Sequence, residues 1–380
     1  MVWDSKSEQD ERLRFIGEWL KQEHCFSGLC ERYGVSRKTG YKWVNRYQYE
    51  GIGGLEARSH ARHFHPNLTS REVQEAIINL KFRYPSWGPV KLRDWLLRRE
   101  VLSPAASTIG ELLKRHGLVK SRKYRRRVPA HSEPFSACNA PNTVWSADYK
   151  GQFLVKDKYC YPLTITDNYS RYLLRCDGLE GPRLDATMKG FERAFMEYGL
   201  PERIRTDNGV PFASCGVGGL SRLSIWWLKL GILPERIEPG HPEQNGRHER
   251  MHRTLKECTA KPAQKSFRAQ QRSFDDFRQV YNHERPHQAL EGRCPADVYQ
   301  TSAREYHQAP KEVLYPEQMQ IRRVRCNGDI KCFNKTYYLS GLLTGENIGL
   351  EMIDDGKAII YFARLKLGIV DARSGKIIRP

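Results

Sequence analysis

Three acidic residues stand among small or structure-breaking neighbours: Asp148 in WSADYKGQF, Asp207 in IRTDNG, and Glu249 after GHPEQNG. The first lies in an expected strand, the second ends another, and the third sits on the helix that follows. Neighbouring strands of a mixed sheet, with one helix packed over their ends, can bring the three to one point. Carboxylates gathered there repel one another and are costly to bury, so hard divalent cations are their natural counter-charge. Oxygen ligands without sulfur or clustered imidazole favour Mg²⁺ or Mn²⁺. Two such ions about 4 Å apart activate an attacking oxygen, stabilise the leaving one and neutralise the phosphate between them. That chemistry is phosphodiester hydrolysis or transfer. One such aspartate alone would read as an ordinary surface carboxylate; the three contexts together point to a metal site.

The elements that must position these acids belong to a segment rich in β-forming residues. Strands are expected over 144–153, 159–167 and 172–179, the first two separated by a Lys156-Asp157-Lys158 turn. A helix over 184–198 carries Met188, Phe191, Phe195 and Tyr198 on one face and stops at Gly199, ahead of Pro201. A short strand over 203–206 runs into Asp207-Asn208-Gly209, with a helix through Leu223, Trp226, Trp227 and Leu230 beyond it. A strand at about 232–237 and a helix at about 244–258 complete an α/β series with a mixed sheet, and a further helical stretch covers 274–281.

In front of this segment the pattern is helical. Phe26, Leu29 and Cys30 form an apolar stripe, Gly34 breaks it, and Ser36 can cap a new helix through Tyr41, Trp43, Val44 and Tyr47. The spacing is that of a helix-turn-helix, and Arg37, Lys38, Lys42, Asn45 and Arg46 on its second helix suit phosphates and base edges. A helical hairpin with a solvated basic face is the plainer alternative. A second such pattern follows: Thr69 can cap a helix through Ile77, Ile78 and Leu80, Trp87-Gly88-Pro89 restarts the chain, and Ser107 opens a helix to His116 closed by Gly117. Ser107, Thr108, Lys114 and Arg115 are its candidate DNA contacts. Two modules in tandem can address a longer site, although one larger helical support domain stays open.

KSRKYRRR then follows, with Lys120, Arg122, Lys123, Arg125, Arg126 and Arg127 as phosphate-tracking candidates in an interdomain linker. At the other end, short strands at 321–325, 330–333, 336–339, 348–353, 358–363 and 368–371, with Asn327-Gly328 and Asp355-Gly356 turns, imply a small β-barrel. Lys331, Lys335, Arg364 and Lys366 give it a basic surface or ordinary solvation.

Composition agrees with a nucleic-acid partner. The 380 residues carry 63 Lys and Arg against 44 Asp and Glu, a net charge of +19 that favours a polyanion. No run of about 18 apolar residues is present to span a membrane. The acidic start, with Asp4, Glu8, Asp10, Glu11 and Glu18, is wrong for a secretory signal, so a soluble, cytoplasmic protein is expected, nucleoid-associated if its partner is DNA. The 10 cysteines are scattered without a CxxC pair, which speaks against a zinc site at His24, Cys25 and Cys30.

WSADYKGQF, IRTDNGVPFAS, GHPEQNGRHERMHRTLK and YNHERPHQALEGRCP, in this order, resemble the retroviral-integrase-like core of bacterial insertion-sequence transposases. The resemblance covers about 142–299 and implies an RNase H-like fold, an Asp, Asp, Glu triad at Asp148, Asp207 and Glu249, and two reactions at transposon ends. In these, water cleaves a strand and the freed 3′-hydroxyl attacks target DNA. Family members often place 35 residues between the second Asp and the Glu, a count that Glu243 fits and Glu249, at 41, does not. Glu249 is preferred because the motif sets the acid after PxxxGxx, here 242–248, and inside the helix; the loop at 216–219 accounts for the added length. Arg247, Arg250, Arg253 and Lys256 on that helix can face the DNA backbone. His241 and His248 could assist proton transfer or serve structure.

The expected architecture is multidomain: tandem helix-turn-helix domains at 1–60 and 66–120, a basic linker at 121–141, an RNase H-like core at 142–300 and a β-barrel at 318–380. Double-stranded DNA, two Mg²⁺ or Mn²⁺ ions per site and a homo-oligomer on DNA, dimer or tetramer, are the implied partners. The competing functions are a DNA-binding regulator with an inactive core and a ribonuclease acting on RNA–DNA hybrids.

Overall fold

The computed structural model describes residues 8–58, 68–119, 137–214, 219–237, 246–308, 312–354 and 356–378, and the chain divides into two compact units, Met1–Leu68 and Thr69–Pro380. The linker cations Lys120, Arg122, Lys123, Arg125, Arg126 and Arg127, together with His241 and Glu243, lie outside the described residues.

In the first unit α1 (Glu8–Lys21), α2 (Phe26–Arg32) and α3 (Arg37–Glu50) close over Phe15, Ile16, Leu29, Trp43, Val44 and Leu55. Ser36 starts α3 as its spacing predicts, its hydroxyl accepting from the Thr39 N–H at 3.2 Å. Helices α2 and α3 approach closely because position 40 is glycine. A Cβ there would sit 2.8 Å from Cys30 Sγ and 2.9 Å from Phe26 Cζ, too near for any side chain. The Arg12 guanidinium lies 4.1 Å from the Trp43 ring centre and donates to the Leu55 carbonyl at 3.1 Å, tying α1 to the end of the unit.

The second unit begins with α4 (Arg71–Arg83), α5 (Pro89–Leu97) and α6 (Ala106–Arg115), packed around Ile77, Leu80, Trp87, Leu92, Leu96, Ile109 and Leu113. Two start signals shift. Ser70, not Thr69, caps α4, accepting from the Val73 N–H at 3.5 Å, and α6 starts at Ala106, so Ser107 lies inside its first turn. These helices dock on the sheet region. Tyr84 hydrogen-bonds Glu284, Arg83 pairs with Glu284 at 3.5 Å, and Arg98 binds both oxygens of Asp297.

The central sheet contains β1 (Val144–Tyr149), β2 (Phe153–Val155), β3 (Lys158–Asp167), β4 (Leu173–Leu179), β5 (Arg203–Thr206) and β6 (Leu233–Arg236), in the order β4-β3-β1-β5-β6 with β2 pairing the start of β3. Pairing is antiparallel through β4-β3-β1 and parallel through β1-β5-β6. Parallel neighbours need crossovers, and α7 (Leu184–Tyr198) and α8 (Arg222–Lys229) supply them. Period-two alternation splits the sheet into two faces. Trp145, Ala147, Leu163 and Ile165 join Phe191, Phe195 and Trp227 on the α7–α8 side. On the other face Val155, Cys160, Leu173 and Cys176 pack against Met251 and Leu255 of α9 (Gly246–Thr259) and Phe274 and Phe277 of α10 (Phe267–Gln279). This is a mixed, RNase H-like sheet sandwiched by helices.

The carboxy-terminal part corrects the expected barrel. Strands β7 (Gln320–Arg323), β10 (Asn347–Asp354), β11 (Lys357–Phe362), β12 (Leu365–Asp371) and β13 (Lys376–Ile378) form an open antiparallel sheet in the order β13-β12-β11-β10-β7. The hairpin of β8 (Asp329–Cys332) and β9 (Lys335–Tyr338) pairs only with itself among the described residues. These strands have four residues each, and they bury Ile330 and Tyr337 against the sheet instead of bridging its edges. Closure by side-chain packing takes the place of closure by a hydrogen-bonded ladder.

Candidate active site

Strands β1 and β5 run parallel and their pairing ends with Ala147 opposite Thr206, so Asp148 and Asp207, the next residue of each chain segment, leave that end near enough to interact electrostatically. Ser146 and Asp148 share the face that α9 covers, because Trp145 and Ala147 are taken by the opposite core. The apolar alternation of β1 thus decides the side on which its carboxylate emerges. After Asp207 the chain turns, its Oδ1 accepting from the Gly209 N–H at 3.1 Å while Asn208 donates to the Ile237 carbonyl at 2.9 Å.

Helix α9 is seated by two histidines one turn apart. Thr164 of β3 lies opposite Asp148, and its hydroxyl is 3.1 Å from the Asp148 carbonyl oxygen, 2.6 Å from His248 Nε2 and 2.7 Å from His252 Nε2. A hydroxyl has one proton to give. It goes to the Asp148 carbonyl, so both imidazoles donate from Nε2. The Thr166 hydroxyl lies 3.3 Å from His248 Nδ1 and 3.5 Å from the Ser146 carbonyl oxygen, whereas the Nδ1 lone pair of His252 faces the Asp148 carboxylate, 3.8 Å from its Oδ2. That separation is too long for a hydrogen bond. Nor is it an ion pair: burial, the neighbouring His248 and Lys150 push the His252 pKa down to about 2, and burial takes His248 down to about 3. Both rings are neutral, and they meet edge to face at 4.6 Å.

Asp148 and Asp207 both hold their protons more tightly than a solvated aspartate. Burial raises the Asp148 pKa to about 7, with further increments from the charges of Asp207 and, more weakly, Glu249. Burial also raises Asp207, against the Gly209 N–H that lowers it. Glu249, on the exposed side of α9, is near enough to act on Asp148 electrostatically. Asp148 Oδ2, His248 and His252 also present ligand atoms within 4.8 Å of one another. Sequence reasoning passed over His252 and expected no clustered imidazole. The available signal was its spacing from His248, four residues on one helix face.

The remaining candidates fall on exposed surfaces. Arg37, Lys38 and Lys42 project from α3, and Arg46 is half-buried with its guanidinium 4.9 Å from the Trp43 ring centre. Ser107, Thr108, Lys114 and Arg115 are exposed on α6, as are Arg247, Arg250, Arg253 and Lys256 on α9. No helix among the described residues is long and apolar enough to cross a membrane.

Family models match along most of this frame: an integrase core domain over residues 139–242, a further integrase core model over 230–295, a helix-turn-helix domain over 11–63 and a homeodomain-like domain over 39–113. An uncharacterised 31.7 kDa protein of insertion element IS407 from Burkholderia multivorans is 27% identical over 275 residues, covering 71% of this chain and 93% of the relative. An uncharacterised 39.2 kDa protein of insertion element IS476 from Xanthomonas euvesicatoria is 27% identical over 232 residues, 60% of this chain and 65% of the relative. Among solved structures, a simian T-cell lymphotropic virus intasome aligns with 80% of this chain and 98% of its own at 14% identity and a TM-score of 0.37.

Proposed function

We propose that this chain, which matches integrase core and helix-turn-helix models and is similar to proteins of bacterial insertion elements, is a DNA transposase that cuts 3′ ends at terminal inverted repeats and joins them to target DNA. One observation carries the reading: Asp148 and Asp207 each follow the last paired residues of neighbouring parallel strands, Ala147 and Thr206, and both Asp207 and Glu249 of α9 act electrostatically on Asp148. The donor set fits divalent cations, because burial and the charges of Asp207 and Glu249 raise the proton affinity of Asp148, an energetic deficit that a cation removes.

Asp148, Asp207 and Glu249 would hold two Mg²⁺ or Mn²⁺ ions, which when bound lower the pKa of the attacking oxygen and neutralise the phosphate. The chain's own part is positioning. Thr164 and its two histidines fix α9 on β3, and with it the distance from Glu249 to the strand ends. Exposed Arg253 and Lys256 on the same helix can take the phosphate backbone flanking the scissile bond, and the exposed cations of α3 and α6 can take the duplex further out. Because joining two ends to one target needs two active sites, the reading includes a homo-oligomer on DNA.

The test is strand nicking of flanking genomic duplex by the purified chain with Mg²⁺ or Mn²⁺, mapped to the nucleotide. Cuts at element ends that vanish in Asp148→Asn and Asp207→Asn support the reading. Duplex binding without metal-dependent cutting would make the chain a DNA-binding regulator instead.

A further inference from the structure

The motif YNHERPHQAL is left over by the metal site, and its side chains join cations on which Asp94, Asp167 and Glu257 act electrostatically without a direct ion pair. Helix α10 runs on into a π turn, Val280–Glu284, after which Arg285 reaches α9, its Nη2 donating to the Thr254 hydroxyl at 3.4 Å. Arg285 Nε and His287 Nε2 are buried without a hydrogen-bond partner, and so is Nη1 of Arg171, in the turn between β3 and β4. That turn is built by Asp167, whose carboxylate accepts from the N–H groups of Asn142 and Ser170 and from the Ser170 hydroxyl, and is therefore committed. Tyr281 joins the groups: the Arg285 guanidinium lies 5.7 Å from its ring centre, and the His287 ring meets it edge to face at 4.9 Å.

Lys91 of α5 and Arg250 of α9 complete the cluster. Burial and the charges of Arg285 and Arg250 depress Lys91; burial and Arg247 bring Arg171 down to about 10; and burial with Arg285, Lys91 and Arg171 holds His287 near 3. No carboxylate among the described residues pairs within 4.0 Å with Lys91, Arg171, Arg250 or Arg285. Like charges buried together with open donors are costly in the free protein. A ligand that accepts several hydrogen bonds and carries negative charge removes that cost, and a phosphate does both.

We propose that Arg171, Arg285 and His287, flanked by Lys91 and Arg250, form a receptor for one backbone phosphate of duplex DNA where the α4–α6 helices meet the core. It rests on the DNA-joining reading and adds to it a fixed point. DNA held by the α4–α6 helices is pinned to the core beside α9, the helix that also carries Glu249. The groups act through binding and are positioning residues.

The test uses the full chain in chelator, in two measurements. Thermal melts in inorganic phosphate against chloride at matched ionic strength should show saturable stabilisation of the wild type that Arg285→Met and Arg171→Met lose. In chloride alone the two variants should melt at or above the wild type, since each removes an unpaired charge. Binding to a labelled 30-base-pair duplex should weaken about tenfold or more in each variant, the size expected for charge-assisted hydrogen bonds to phosphate. Lys91→Met, at the edge of the cluster, should weaken it less. Variants that melt well below the wild type in chloride, and keep the phosphate effect and the duplex affinity, would show a structural cluster and overturn the proposal. Failure of the transposase reading shows separately, as absent nicking by wild type with metal.

Discussion

The raised proton affinity of Asp148 makes a quantitative demand on stability. In the folded chain its carboxyl keeps its proton to about pH 7, whereas an unfolded aspartate loses it near pH 4. Between those values the folded form binds more protons, so stability must fall as pH rises, the reverse of the usual paired carboxylate. A displacement of about three units amounts to about 4 kcal/mol, of which about 2.5 kcal/mol develops between pH 5 and pH 8. Asp148→Asn removes the charge and keeps the shape. In chelator it should therefore gain on the wild type by about that amount across the interval, several degrees in melting temperature. His248 and His252 complicate the wild-type curve alone, since neutral buried imidazoles add stability as pH rises from about 3 to 6.5. Both proteins share them, so the difference between the curves isolates Asp148. Mg²⁺ at pH 8 should then restore the wild type and leave the variant unmoved. A difference that stays flat from pH 5 to 8, or runs the other way, refutes the account of the site as mutually repelling acids.

Thr164→Val should destabilise the second unit by about 2–5 kcal/mol, because two buried Nε2–H donors lose their only acceptor, and Thr164→Ser should recover most of it; melts and nicking rates measured on both variants check this. Glu249→Gln should abolish nicking and spare duplex affinity, while Glu243→Gln should keep both; the opposite pattern moves the third acid to position 243. Replacing Arg37 and Lys42 together by Ala should flatten the salt dependence of duplex binding by about 0.9 in log–log slope for each phosphate left without its cation, read from affinity between about 50 and 200 mM salt. Arg98→Ala, which cuts a half-exposed pair with Asp297, should cost no more than about 1 kcal/mol in a chemical melt.

Legibility in the sequence followed the range of the forces. Helix 184–198 and strand 203–206 are found at their expected bounds, because each is set by local periodicity and by breakers at its ends. Asp148, inside one expected strand, and Asp207, at the end of another, stand out locally for the same reason, by their small or breaking neighbours. Their meeting was not local, since it depends on β1 pairing β5 in one register among several. His252 escaped because its partner, Thr164, is 88 residues away, and nothing in HERMHRTLK alone distinguishes a ring that seats a helix from one that faces water. The barrel failed on closure, which no strand pattern encodes; whether the first and last strands meet is decided by how the hairpin packs.

Helix α9 explains how one element can serve opposite charges. On a helix, side chains one residue apart diverge by about 100°, so His248, Glu249 and Arg250 leave it in three directions. His248 enters the sheet, with His252 one turn on beside it. Glu249 is turned outward yet reaches Asp148 electrostatically, and Arg250 acts on Lys91 and Tyr281. On the two proposals above, α9 contributes Glu249 to an anionic cluster and Arg250 to a cationic one, and each cluster is stabilised by its ligand. A DNA strand with bound cations supplies what each lacks: positive charge between the acids and a phosphate among the bases. Since both deficits are relieved by one ligand through one helix, metal and duplex binding should be coupled. The free energy of binding both should exceed the sum of binding each, and Thr164→Val, which loosens the helix from the sheet, should reduce that excess before it abolishes either interaction. Duplex titrations with and without Mn²⁺, on wild type and on that variant, measure it directly; equal coupling in the two proteins would disconnect the clusters.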